Sequence, residues 1–302
     1  MHVRTGPSEE RTPGDNEMFR RPATNGELYR LAVSIPKRHR RAYGRSMHRR
    51  ISDRFTGADL DTTTWLPHYL PAWSSRAATA ASYRVAGPGL VLSVPTDHPV
   101  WCAGDHEPPL RVSGIQSGSW SRPAGSSYGQ QRYRPGLTVR EEQPRFEGWL
   151  PATGRVEITA RMTLSPRSMA ALWLSGFEDD PDQLQCGELC VFEVFGRALG
   201  PASDPSAEVG VGIKPFRDPA LVDDFAAPRL PIDVTQDHTY AVDWDADEAV
   251  FTVDGKVVRR CARPPTYPMQ LMLAVFDFPE WSVGDDDHLV PSMTVSEISG
   301  GG

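Results

Sequence analysis

A two-residue period restricts this chain more than any other feature. In Arg155-Val156-Glu157-Ile158-Thr159-Ala160-Arg161-Met162 the apolar residues Val156, Ile158, Ala160 and Met162 fall on one side and polar ones on the other. That is the pattern of a strand with one buried face. It recurs in Glu208-Val209-Gly210-Val211-Gly212-Ile213 and His238-Thr239-Tyr240-Ala241-Val242-Asp243-Trp244. Ser82-Tyr83-Arg84-Val85 and Gly89-Leu90-Val91-Leu92-Ser93-Val94 read as strands paired around the Gly87-Pro88-Gly89 turn, and Leu110-Arg111-Val112-Ser113-Gly114-Ile115-Gln116 and Met293-Thr294-Val295-Ser296-Glu297-Ile298 as further strands. Ser168-Met169-Ala170-Ala171-Leu172-Trp173-Leu174 and Met269-Gln270-Leu271-Met272-Leu273-Ala274-Val275-Phe276 read as two further strands. Asp254-Gly255, between Val253 and Lys256, suits a type I′ hairpin turn. The 28 prolines and 26 glycines punctuate these runs and favour turns over long helices. Residues 219–225 offer the one helical turn or two, and polar residues 117–148 read as a long surface loop with one short hairpin. The fold expected is all-β: a two-sheet antiparallel β-sandwich, or jelly roll, forming one domain over residues 51–302.

Charge divides the chain at the start of that domain. Residues 1–50 hold 12 Lys+Arg against 5 Asp+Glu, leaving 20 against 34 in the remainder. The acidic body excludes broad nucleic-acid binding, which needs a basic face. The first 50 residues read as a basic, disordered arm, or as untranslated if synthesis starts at Met47. Lys37-Arg38-His39-Arg40-Arg41 within it is read as solvated. Leu28-Tyr29-Arg30-Leu31-Ala32-Val33-Ser34-Ile35 is interrupted by arginine and lacks a small-residue cleavage site, and no run is long enough to span a bilayer. The expectation is a monomer without membrane partners, cytoplasmic as read, or secreted if the start lies elsewhere. Cys102, Cys186, Cys190 and Cys261 lack zinc-ligand spacing and read as free buried thiols.

Chemistry concentrates in Cys186-Gly187-Glu188-Leu189-Cys190-Val191-Phe192-Glu193-Val194-Phe195-Gly196. An apolar strand rarely carries two glutamates unless they are paired, bound or catalytic. Glu188 and Cys190, two apart, point to one face. Glu193, five from Glu188, joins them only if the strand bulges by one residue at Val191 or Phe192, a device common beside active sites.

Gly187-Glu188-Leu189-Cys190-Val191-Phe192-Glu193 resembles the Glu-x-Asp-x-x-Glu signature of glycoside hydrolase family 16, the concanavalin A-like jelly rolls. Arg54-Phe55-Thr56-Gly57-Ala58-Asp59-Leu60-Asp61 followed by Trp65, Gly154-Arg155-Val156-Glu157, Ala171-Leu172-Trp173-Leu174, and residues 238–244 with 251–255 are similar to further segments in the family's order. The resemblance covers residues 51–299. It implies a retaining glycosidase that cleaves internal β-linkages of a glucan or galactan, with Glu188 as nucleophile and Glu193 as general acid/base. Such a mechanism asks for carboxyl groups about 5–5.5 Å apart. Cys190 stands where the family has its middle aspartate. A neutral thiol there weakens carboxylate repulsion, so a more acidic optimum is expected. A carbohydrate-binding protein without turnover and a transglycosylase are the other functions compatible with this motif.

The remaining candidates are substrate contacts. Trp73 and Trp101 are the tryptophans placed to stack on a pyranose, whereas Trp173 and Trp244, in alternating strands, are assigned to the core. His106 is expected to line the cleft, Arg111 and Gln116 to bond sugar hydroxyls, and Asp277 to reach in from a strand end. No cofactor is expected. Asp285-Asp286-Asp287 with His288 reads as a solvated acidic loop that could hold a structural calcium.

Overall fold

The expected strands form, with several short ones between them. In chain order they are β1 (Ile51–Asp53), β2 (Tyr83–Val85), β3 (Leu90–Ser93), β4 (Val100–Trp101), β5 (Leu110–Gln116), β6 (Gly118–Ser119) and β7 (Phe146–Glu147). Then follow β8 (Gly154–Thr163), β9 (Ser168–Gly176), β10 (Glu188–Phe195), β11 (Ala207–Glu208), β12 (Gly210–Lys214) and β13 (Asp224–Ala226). The last six are β14 (Arg229–Leu230), β15 (His238–Trp244), β16 (Glu248–Val253), β17 (Lys256–Ala262), β18 (Met269–Asp277) and β19 (Ser292–Gly301). The computed structural model describes residues 50–85, 87 and 89–301, all within the unit Arg40–Gly302. Residues 1–49 of the basic arm, with its 28–35 and 37–41 runs and Met47, lie outside the described residues, as do Ala86 and Pro88.

Two antiparallel sheets result. One runs β17-β16-β15-β8-β19-β3-β2, with β1 also on β19; the other runs β13-β12-β10-β9-β18-β5-β4. Their inner faces supply one core. Val156, Ile158, Ala160, Met162, Val242, Phe251 and Val295 of the first sheet meet Leu172, Leu174, Leu189, Val191, Ile213, Leu271 and Leu273 of the second. Burial of this apolar area is the main stabilising term, at roughly 25 cal/mol per Å². Trp244 belongs to this core, as the alternation of β15 predicts.

Two local expectations are corrected. Residues 219–225 form no helix; a turn runs into β13. Among the described residues the helical elements are single 3₁₀ turns at Pro71–Trp73, Gly196–Ala198 and Pro279–Trp281. The segment 117–148 is not simply a surface loop. β6 and β7 pair at its base, and Leu137, Val139, Gln130, Gln131 and Gln143 are buried.

Candidate active site

The second sheet carries its chemistry on the face away from the core. On β10, Leu189, Val191, Phe192 and Val194 face inward. Val191 and Phe192 both do so because the strand bulges: Cys190 pairs with Trp173 of β9, while Phe192 already pairs with Leu172, its next neighbour. The same slip against β12 sets Cys190 opposite Gly212 and Glu193 opposite Gly210. The extra residue restores Glu193 to the face of Glu188 and Cys190. Three cross-strand rows follow. The first reads Lys214–Glu188–Ser175–Gln270, the second Gly212–Cys190–Trp173–Met272–Gln116, and the third Gly210–Glu193–Ala171–Ala274–Gly114. At Gly212, with φ +133°, a Cβ would meet the Asp224 carbonyl oxygen at 2.2 Å, and at Gly210 it would meet the Phe225 ring at 2.6 Å. Only glycine lets β13 close over these positions.

The two glutamates are held differently. Gln131 Nε2 donates to Glu188 Oε1 at 2.7 Å and to Ser175 Oγ at 2.6 Å. Gln131 is itself fixed through its backbone N–H, which donates to Glu178 Oε1 at 2.5 Å, and Arg217 pairs with the other oxygen of Glu178. Burial lifts the Glu178 carboxyl to about 7, against the opposing pull of Arg217 and the Gln131 N–H. Glu193 instead receives the ammonium of Lys214 at 2.7 Å on Oε1, and the Cys190 thiol donates to the same oxygen at 3.4 Å. Burial opposes the Lys214 ammonium, but the acidic groups around it, Cys190, Glu193 and Glu188, outweigh burial and keep it charged above the ordinary lysine range. Burial also pushes the Cys190 thiol well up, so the sulfur stays neutral.

An aromatic floor adjoins the glutamates. The Tyr69 ring lies 5.3 Å from Trp101, 6.4 Å from Trp173 and 5.6 Å from Phe276, and Trp173 lies 6.0 Å from Phe276. Burial, and next the charge of Glu188, hold the Tyr69 hydroxyl un-ionised. Buried polar atoms on this side without a hydrogen-bond partner among the described residues include Trp101 Nε1, Tyr133 Oη, Gln270 Oε1 and Glu193 Oε2.

The structure brings together Glu188, Cys190, Glu193 and Trp101, with the His106 ring 5.3 Å from Trp101. The other candidates go elsewhere. Trp73 is fully buried, its indole N–H donating to the Gln130 carbonyl at 2.7 Å, which leaves no face for a sugar. Gln116 shares the Cys190 row but bonds the Leu70 N–H and the Gly118 carbonyl. Arg111 and Asp277 pair with each other at 3.0 Å, in register on the core-facing parity of β5 and β18, and Asp277 also accepts from Arg167. Trp173, assigned to the core from sequence, lies instead on the site face. Asp286 caps a turn at Ser282 and Val283, and Asp287 pairs with Arg167. No set of three potential metal ligands converges among the described residues. All four cysteines are free and buried.

Lys214, Gln131 and Glu178 were missed in the sequence. Lys214 had a signal: with Val209, Val211 and Ile213 inward, residues 210, 212 and 214 must face the other way.

The bulged strand aims two carboxylates along one face of a two-sheet antiparallel sandwich. The model of the family "Glycosyl hydrolases family 16" matches residues 226–289, downstream of β10. The GlcNAcα1-4Gal-releasing endo-β-galactosidase from Clostridium perfringens superimposes with a TM-score of 0.67 at 23% identity, over 89% of this chain and 64% of that one. The chain thus spans less than two thirds of that enzyme. The catalytic domain of an endo-1,3-β-glucanase (laminarinase) from Thermotoga petrophila RKU-1 gives 0.57 at 15% identity, over 83% and 95%. Crh5 transglycosylase in its apo form gives 0.50 at 16%, over 85% of each chain. No curated protein matches the chain. The family model and the shared fold bear out the resemblance to glycoside hydrolase family 16 that the glutamate strand suggested.

Proposed function

We propose that this domain is a retaining, endo-acting glycoside hydrolase for β-linked polysaccharides. The observation that carries the reading is the bulge in β10, which sets Glu188, Cys190 and Glu193 on one face beside an aromatic floor. In the first step a Glu188 carboxylate oxygen attacks the anomeric carbon, the glycosidic C–O bond breaks, and Glu193 gives its proton to the leaving oxygen. In the second, Glu193 takes a proton from water, whose oxygen attacks the anomeric carbon and releases Glu188. Tyr69 and Trp173, the least enclosed rings of the floor, supply apolar surface against sugar rings.

Release of reducing ends tests this on β-glucans, agar-type and carrageenan-type galactans, and a β-galactoside glycan ending in GlcNAcα1-4Gal. Glu188→Gln is expected to lower kcat about 10³-fold or more, and Glu193→Gln about 10²–10⁴-fold. Activity unchanged in Glu188→Gln would remove the assignment. The fold shared with a transglycosylase favours a second reading, in which a sugar hydroxyl replaces water in the second step. Products longer than the substrate would establish it. Oligosaccharide binding without turnover in the wild type would make the domain a binding protein.

A further inference from the structure

We propose that Gln131 is a positioning residue for the nucleophile, fixing Oε1 of Glu188, and that the buried Glu178–Arg217 pair is the keystone that holds Gln131 there. The inference rests on the role of Glu188 given above. Cys190, between the two glutamates, points its thiol at Glu193, whereas the amide that reaches Glu188 comes from the segment between β6 and β7. That amide spans one cross-strand row. Its Nε2 donates to Glu188 Oε1 at 2.7 Å and to Ser175 Oγ at 2.6 Å, and Ser175 stands directly opposite Glu188 on β9. An ionised carboxylate only accepts, so the nitrogen end of the amide must face it. With both of its N–H groups engaged, the amide has one orientation, and the oxygen it holds has one place. A hydrogen bond given to a carboxylate also favours its ionised form, which attack on the anomeric carbon requires.

The segment that carries Gln131 is tied residue by residue. The Gly129 carbonyl accepts from Gln183 Nε2 at 3.0 Å, and Gln130 Nε2 donates to the Phe177 carbonyl at 3.2 Å. The Gln131 N–H donates to Glu178 Oε1 at 2.5 Å, and the Arg132 carbonyl accepts from Arg217 Nη1 at 2.8 Å. Arg217 Nη2 closes the set on Glu178 Oε2 and also reaches the Gln183 carbonyl. The backbone of the four residues Gln131, Glu178, Gln183 and Phe216 is left-handed, with φ between +48° and +57°. Each belongs to the Glu178–Arg217 pair, bonds to it or precedes it. Non-glycine residues keep that backbone only where their surroundings over-determine it, and such places cluster at functional sites. The Glu178 side chain is fully buried and that of Arg217 is 24% exposed. A buried carboxylate needs a counter-ion and hydrogen-bond donors; Arg217 is the first, and the N–H of the residue that touches the nucleophile is one of the second.

The titratable groups that bear on Glu188 are Cys190 and Glu193 on β10, Lys214 opposite it on β12 and Tyr69 from the segment before β2, with Glu178 and Arg217 behind Gln131. Ser175 and Trp173 of β9, Gln270 of β18 and Gln131 itself do not titrate. The test reads kcat, KM and the pH dependence of kcat/KM in the full-length protein. Gln131→Met removes the donor at nearly constant size and should lower kcat about tenfold or more, with KM within about threefold of wild type. It should also move the acid limb of kcat/KM up by about one pH unit, which a purely structural role would not do. Gln131→Glu keeps the shape but sets an acceptor against Glu188, so at neutral pH it should be slower than Gln131→Met; a packing role gives the reverse order. Gln131→Asn withdraws the amide by one methylene and suits left-handed backbone, so it decides the matter if Gln131→Met does not fold. Glu178→Met should lower kcat about tenfold in the wild-type background and by less than about threefold in Gln131→Met, because the pair acts through Gln131. An unchanged kcat and acid limb in Gln131→Met, or equal Glu178→Met penalties in both backgrounds, would overturn the proposal. Urea unfolding midpoints of Gln131→Met, Glu188→Gln and the double variant separate it from the hydrolase reading. Non-additive midpoints in a protein without turnover keep the Gln131–Glu188 tie and defeat the hydrolase. Additive midpoints in an active enzyme do the reverse.

Discussion

On the outer face of the sheet built around β8, Arg161 pairs with Asp237 and Arg260 with Glu248, every partner between 44% and 57% exposed. On the outer face of the other sheet Lys214 pairs with Glu193 at 13% and 7%. The three pairs have similar N–O distances, 2.7–3.0 Å, yet their energetics differ. Water competes for the exposed pairs and screens them, so they add little. The buried pair sits where water has been displaced by β13 and by the loops over β10, so loss of one member strands a charge. Burial of the whole chemical face, with Glu188 7% and Glu193 6% exposed, is what separates a site from a solvated surface here.

The largest effect expected breaks the buried pair. Lys214→Met should cost about 3–5 kcal/mol of stability in urea unfolding, whereas Arg161→Met and Arg260→Met should each cost about 0.2–1 kcal/mol. Equal costs on the two faces would abolish the distinction. A second contrast lies in pH. Glu178, with a fully buried side chain, has its carboxyl raised to about 7 from an ordinary 4.5. The folded state therefore favours the protonated form. Its contribution is most stabilising below pH 4.5, declines as pH rises from 4.5 to 7, and stays low above that. The decline is on the order of 3 kcal/mol at most, and Glu178→Gln should flatten it when unfolding midpoints at pH 5 and pH 8 are compared. A difference between those midpoints that survives the substitution unchanged would assign it to other groups.

A smaller effect probes the glycines that open the face. Gly210→Ala puts a methyl 2.6 Å from the Phe225 ring and 3.2 Å from Glu193 Cβ. Overpacking of this kind costs about 1–3 kcal/mol, and here it should also lower kcat by displacing Glu193. Loss of stability with kcat intact would mean that β13 yields while the carboxylate holds its place.

How much of this could be read from the residues depends on how local each constraint is. The sandwich was legible because alternation in β8, β12 and β15 is a local consequence of one buried face. The bulge was legible as well, since two glutamates five apart on a strand cannot otherwise share a side. Arg111 and Gln116 are also five apart, with no bulge between them, so parity alone argued against their acting together. Asp277 follows Leu271, Leu273 and Val275 in parity and so faces the core side. Trp73 could not be placed, because its burial is made by Gly129 and Gln130 in a segment without periodicity. Gln131 reaches Glu188 across 57 residues and Glu178 across 47. No local pattern encodes such contacts.

The mildest test of the two-face comparison is chemical. Cys261 lies under the β16–β17 edge, with its thiol raised by burial to about 11, and Cys190 lies among carboxylates with its thiol raised well above the ordinary value. Thiol alkylation proceeds through the thiolate and needs access. Both cysteines should therefore resist iodoacetamide in the native protein at pH 8, and Cys190 should be the slower, since Glu188 and Glu193 repel any thiolate formed beside them. Lys214 is the one neighbour that favours a thiolate at Cys190. Lys214→Met should slow Cys190 further while leaving Cys261 unchanged, as read by mass spectrometry of the labelled peptides. Faster labelling of Cys190 in that variant would show that the lysine acts chiefly as a plug over the strand, and that charge matters less on this face than closure.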